Sequence, residues 1–166
     1  MAKYNSNTDS TEVFGYEHPI AKDKKSNSRF DLSIQNEIYV NAYGYCDLIT
    51  ICNLDGTLKH NIYGPGWGKN KNNRNKYFKT IEITDKAIIA LYNGGTNIIL
   101  DKYKRMKGTY PTKFLIFDLQ GNYIKTLETN HNIAFFCFDN ENKRLIINFD
   151  DRTEPLGYID LKNIKS

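Results

Sequence analysis

Pro111-Thr112-Lys113-Phe114-Leu115-Ile116-Phe117-Asp118-Leu119-Gln120-Gly121-Asn122-Tyr123-Ile124-Lys125-Thr126-Leu127-Glu128 decides the fold. An apolar run meets a turn dipeptide at Gln120-Gly121. Strict alternation follows, with Tyr123, Lys125 and Leu127 on one side and Ile124 and Thr126 on the other. Alternation places one face of a strand in a core and the other in water, and a glycine after a short polar residue supplies the positive φ of a two-residue hairpin. The same design stands earlier, at Leu48-Ile49-Thr50-Ile51-Cys52-Asn53-Leu54-Asp55-Gly56-Thr57-Leu58-Lys59. A hairpin repeated along a chain predicts a modular all-β scaffold. Such scaffolds carry many functions, so function has to be sought in sites rather than in the fold.

Outward from these hairpins the strands repeat. Asp31–Ile34, Glu37–Tyr43 and Asp47–Asn53 are predicted strands, and Thr57–Tyr63 returns the chain after Leu54-Asp55-Gly56. Tyr77–Thr84 alternates, with Phe78, Thr80 and Glu82 against Tyr77, Lys79, Ile81 and Ile83. Ala87–Tyr92 is apolar on both faces, as an inner strand is. Asn132–Phe138, Arg144–Phe149 and Leu156–Leu161 complete the set. Three units emerge, about 29–63, 77–128 and 131–161, after an irregular segment 1–28. In each, one strand ends on an acid or amide followed by Leu: Asn53-Leu54, Asp118-Leu119, Asp160-Leu161. Four-stranded antiparallel units at a spacing of roughly 40–50 residues are the signature of β-propeller blades, about three here. A β-sandwich, the rival, would show more even strand spacing and no repeated texture. No sustained period of 3.6 predicts a helix.

The punctuation between strands is equally plain. Gly64-Pro65-Gly66-Trp67-Gly68 continues no regular element, and Lys22–Ser28 and Lys69–Lys76 read as solvated loops. A second long link, from Thr96 to Tyr110, carries a weak apolar patch at Asn97–Leu100 and cations at Lys102, Lys104, Arg105 and Lys107.

Composition narrows the class. A chain of 166 residues supports one core, and 40% hydrophobic with 25% charged residues belongs to a folded chain. The aromatic excess, twelve Tyr and nine Phe, suits half-buried pleated faces. The charge of +4 is spread among Asn-rich loops and does not indicate a polyanionic partner. Cys46, Cys52 and Cys137 are too irregularly spaced for a disulfide framework or zinc site, so reduced, partly buried thiols are expected. No run of about 18 apolar residues predicts a membrane span. The N-terminus has no apolar signal core, an expectation of cytoplasmic residence.

Several segments together resemble the bacterial TolB-like six-bladed β-propeller family. They are Phe14-Gly15-Tyr16-Glu17-His18-Pro19, Gly64-Pro65-Gly66, Ala87–Gly95, Phe117–Gly121 and Phe138–Leu145. The resemblance runs from about Val13 onward, to the C-terminal half of such a propeller, and implies an exported, periplasmic or surface protein. It carries over no catalytic residues. Six blades need about twice this chain, so the resemblance implies either a fragment or a half-ring that pairs with a second copy or with the missing half.

The sites are sparse. His18, His60 and His131 have no second ligand at metal spacing. Asp55, Asp118, Asp139, Asp150, Asp151 and Asp160 sit at strand ends or turns, where they accept backbone N–H groups. No nucleophile motif or phosphate loop is present, and no cofactor, metal or catalytic residue is expected. The basic loops lack a nucleic-acid fold, so no nucleic acid is expected. Candidate ligand contacts are the aromatics Trp67, Tyr92, Tyr103 and Tyr110. The leading expectation is a non-catalytic propeller module for a protein or glycan ligand, met by the links 64–76 and 93–111. The alternatives are a metal-assisted hydrolase or lyase, and an inactive fragment.

Overall fold

The computed structural model describes residues 2–22, 27–68, 76–95 and 98–161. A hairpin of β1 (Ala2–Asn5) and β2 (Ser10–Val13) comes first, then one helical turn, α1 (Pro19–Lys22). Three antiparallel sheets follow. In the first, β3 (Ser28–Ser33), β4 (Ile38–Tyr43), β5 (Leu48–Asn53) and β6 (Leu58–Tyr63) pair in sequence order. The second begins with β7 (Lys76–Ile83) and β8 (Ala87–Gly95). An inserted hairpin, β9 (Ile98–Leu100) with β10 (Met106–Gly108), precedes its remaining strands, β11 (Lys113–Asp118) and β12 (Tyr123–Glu128). The order across that sheet is β7-β8-β11-β12. The third sheet is β13 (Ile133–Asp139), β14 (Arg144–Phe149) and β15 (Leu156–Asp160). The chain is all-β, built of propeller-type blades.

Local chemistry explains the repeated hairpins. Asp118 N–H bonds to Asn122 O at 2.9 Å and Gly121 N–H to Asp118 O at 3.0 Å, so three residues turn the chain where two were expected. Gly121 holds φ at 88° and Gly56 at 90°, each beside a register shift, in β11 and β5 respectively. This is a turn closed by a left-handed residue and a bulge, which a Cβ would strain. The Asp118 carboxylate accepts the N–H groups of Gln120 and Asn122, and Asp55 that of Thr57.

The second sheet is buried on both faces. Ile88, Ala90, Tyr92, Leu115 and Phe117 meet Ile38, Val40, Ala42, Ile49 and Ile51 of the first sheet. On its other face, Ile89, Leu91 and Phe114 meet Ile133, Phe136, Leu145 and Ile147 of the third. Strict alternation fails in β7, where two register shifts leave consecutive Tyr77 and Phe78 both buried. The segment 14–18 lies on the first sheet, Tyr16 N–H bonding to Gly56 O at 2.8 Å.

Cys46 and Cys52 are buried and outside any disulfide, whereas Cys137 is exposed rather than partly buried. The alternating side chains of β13 explain this: Phe136 and Phe138 enter the core, and Cys137 points away. Most of the expected loops Lys22–Ser28 and Lys69–Lys76 (23–26 and 69–75), and Thr96 with Asn97, lie outside the described residues. Among the described residues no helix is long and apolar enough to cross a membrane.

Candidate functional site

β3, β7 and β13 are the first strands of their sheets and form one edge of each, and β7 lies beside both others. Edge N–H groups need acceptors. Asp31 Oδ2 accepts Ile83 N–H at 2.6 Å, joining the first two sheets. Glu82 Oε2 accepts Phe138 N–H at 2.7 Å, joining the second and third. Burial raises the Glu82 carboxyl above its ordinary range, against the pull of the Phe138 N–H. Arg29 Nε donates to Lys79 O at 3.2 Å, a further tie from β3 to β7.

A cavity of about 160 Å³ opens at the end of the sheets where β3 and β7 begin and β4 and β8 finish. Its walls are Asn27 and Arg29 from the first sheet's entry, Gly44, then Lys76, Phe78 and Lys79 of β7. Asn93 of β8 and Thr109 and Pro111 of the link complete it. Backbone bonds fix the frame: Gly44 N–H to Asn27 O at 2.6 Å and Tyr77 N–H to Gly44 O at 2.8 Å. Asn93 Nδ2 donates to Thr109 Oγ1 at 3.3 Å, fastening the link to β8.

Arg29, Lys76 and Lys79 thus contribute three cationic residues to the walls, which include no acid among the described residues. Burial pushes the Lys79 ammonium below its ordinary pKa and the Lys76 charge adds to this, while Asp150 opposes both. The Lys79 ammonium stands 4.1 Å from the centre of the Tyr110 ring and 5.3 Å from that of Phe135, a cation–π seat. The Asp150 carboxylate beside the Tyr110 hydroxyl raises that phenol's pKa.

Of the four aromatics expected to contact ligand, two lie next to this cavity. Tyr110 does so through Lys79, and Tyr92 through the ring of Phe78, 5.2 Å away. Tyr92 is itself buried, with its hydroxyl on Asp47. Trp67 packs elsewhere, its ring 4.8 Å from that of Tyr63 and 5.5 Å from that of His18. Tyr103 is exposed in the β9–β10 hairpin between Lys102 and Arg105. Neither lines the cavity. Arg29 and Lys79 were not singled out by sequence, since nothing local marks two residues 50 positions apart as neighbours.

A second, apolar groove of about 450 Å³ runs between β6 and β12, lined among others by Ile62, Tyr63, Leu115, Phe117 and Tyr123. Its polar rim is self-satisfied, the Tyr123 hydroxyl and Thr126 Oγ1 being 2.9 Å apart. Among the described residues no three His, Cys, Asp or Glu side chains gather to hold a metal.

The family described as TolB-like 6-blade propeller-like matches residues 6–141. The chain belongs to this family. The TolB-like match takes in the N-terminal segment after β1, both four-stranded blades and β13, and so every described residue that lines the cavity. A comparison with curated proteins returns no match.

Proposed function

We propose that this TolB-like chain is a non-catalytic binding module whose ligand enters the cavity between the first two blades. One observation carries the reading. Side chains from β3, β7, β8 and the 93–111 link meet there around a hydrogen-bonded frame, leaving about 160 Å³ between the described residues. That is well above the roughly 15 Å³ that one water needs. A pocket with few convergent polar groups on rigid strands, closed by a link, is the ordinary form of a small-ligand site. Two-dimensional amide NMR of the folded chain against a panel of glycans and peptides tests it. Saturable shifts are expected at Asn27, Gly44, Asn93 and Thr109. A folded sample whose cavity resonances ignore the whole panel would remove the reading.

A further inference from the structure

We infer that the cavity takes an oxyanion, a carboxylate or phosphate group carried by a small ligand. The inference rests on the reading of this cavity as the ligand site.

The argument begins with the guanidinium of Arg29. Its Nε donates to Lys79 O at 3.2 Å, and its Nη1 to Asn27 Oδ1 at 2.9 Å and Ser28 O at 3.4 Å. All three acceptors are neutral. They hold the group in place without cancelling its charge, and Nη2 has no partner among the described residues. A guanidinium fixed in this way is ready to present N–H groups to an oxyanion.

The two lysines sharpen the point. Among the described residues neither Lys76, Lys79 nor Arg29 forms an ion pair, although Lys143, Arg144 and Arg105 all do. Lys79 is half-buried against two aromatic faces, and the acid that acts on it, Asp150, is not part of the wall. The Lys76 charge disfavours that of Lys79, and an anion placed beside the two relieves that repulsion. Asp150 offsets part of this charge at Lys79 from outside the wall.

Size sets the class. About 160 Å³ admits a single oxyanion head and a few further atoms, not a strand of nucleic acid. The formal charge of only +4 likewise does not call for a polyanion.

The experiment titrates the full chain with inorganic phosphate, glucuronate and glucose, followed by amide NMR, at about 20 mM and about 200 mM sodium chloride. Phosphate, glucuronate or both should bind saturably and at least roughly tenfold more tightly than glucose, more weakly at the higher salt. Preference between the two anions identifies the source of the oxyanion. Arg29→Gln and Lys79→Gln should each weaken that binding about tenfold or more. Lys76→Gln, which removes no described hydrogen bond, serves if Arg29→Gln does not fold. A charge-matched control, Lys102→Gln in the exposed hairpin, should leave binding unchanged. Equal loss in that control would overturn the inference, since net charge alone would then explain it. Glucose moving the same resonances as strongly as glucuronate would overturn the oxyanion while leaving the binding site standing. Silence towards all three would also overturn it, and the broader panel then decides the fate of the site itself.

Discussion

Tyr92 donates its hydroxyl to Asp47 Oδ2 across 2.8 Å, although 45 positions separate the two residues. Both are buried, at 5% and 2% exposure. The same oxygen accepts Gly66 N–H at 2.6 Å, so one carboxylate holds β8 and the Gly-Pro-Gly link together. Its other oxygen is buried without a hydrogen-bond partner among the described residues. Burial raises the Asp47 carboxyl above its ordinary range, against the lowering effect of Tyr92 and Gly66. The folded state therefore holds this proton more tightly than the unfolded chain does. Asp47 contributes most below its ordinary pKa of 3.8 and loses that contribution as pH rises through the raised folded value. Asp47→Asn should flatten this part of the pH profile, read as urea midpoints across the acid range. Asp47→Ala strands the buried Tyr92 hydroxyl and the half-buried Gly66 N–H, and the loss of the first alone should cost about 1–3 kcal/mol.

The interblade acids give a second prediction. Asp31→Ala leaves the N–H groups of Ile83 and Leu32 without the acceptor that each now has. Glu82→Ala does the same to Phe138 N–H. Each should lower stability by about 1–3 kcal/mol in urea unfolding. Glu82→Gln, which keeps an acceptor and removes a half-buried charge, should cost less than Glu82→Ala. Equal costs would show that the bond to Phe138 does not matter.

Gly121 supplies a third. An added Cβ would stand 2.8 Å from His60 Cδ2 and 3.2 Å from both Ile51 Cδ1 and Ile62 Cγ1, on a backbone with φ at 88°. Gly121→Ala should therefore cost about 1–3 kcal/mol, more than the same change at Gly68, where nothing lies within 4 Å. Thermal midpoints of the two variants make the comparison.

Asp139 predicts acid sensitivity of opposite sign to Asp47. Its carboxylate accepts from Asn142 Nδ2 at 2.8 Å, Asn142 N–H at 3.1 Å and Arg144 Nε at 2.9 Å. These bonds favour the ionised form and lower its pKa to about 2. The contribution is present above the ordinary 3.8 and disappears as pH falls towards about 2. In Asp139→Asn the stability loss over that interval should be shallower, seen by circular dichroism during acid titration.

Thiol chemistry offers a fifth. Cys137 is exposed while Cys46 and Cys52 are buried. Burial also raises the Cys52 thiol, keeping it protonated. An aromatic disulfide reagent should titrate one thiol of the three in the folded chain and all three in denaturant. Three fast thiols without denaturant would contradict the packing of the first blade.

Burial periodicity made the blades legible. Strands β8 and β11 are apolar on both faces because the second blade has a neighbour on each side, and β12 alternates because it is an outer strand. Where no side is buried, no pattern exists to be read. The hairpin β1–β2 is exposed at every residue whose burial is described from Lys3 to Val13, so its text looks merely polar. The weak patch Asn97–Leu100 hid β9, which among the described residues pairs only with β10. The bulges of β7 were invisible because a register shift is decided by the partner strand. The cavity was half legible. The link 93–111 was expected at a ligand site and Thr109 and Pro111 line the cavity, but Arg29 meets Lys79 only after two blades have packed.

The β9–β10 insertion has a practical consequence. Tyr92 pairs with Lys113, so the chain departs from the second sheet and comes back to the adjoining strand. Its tip, around Tyr103 and Lys104, is exposed. A reporter peptide spliced there would hang from two feet already standing side by side. Each doubling of its length would cost only about 0.6 kcal/mol of closure entropy. The position offers a handle for labelling or tethering the protein without disturbing either hydrophobic layer.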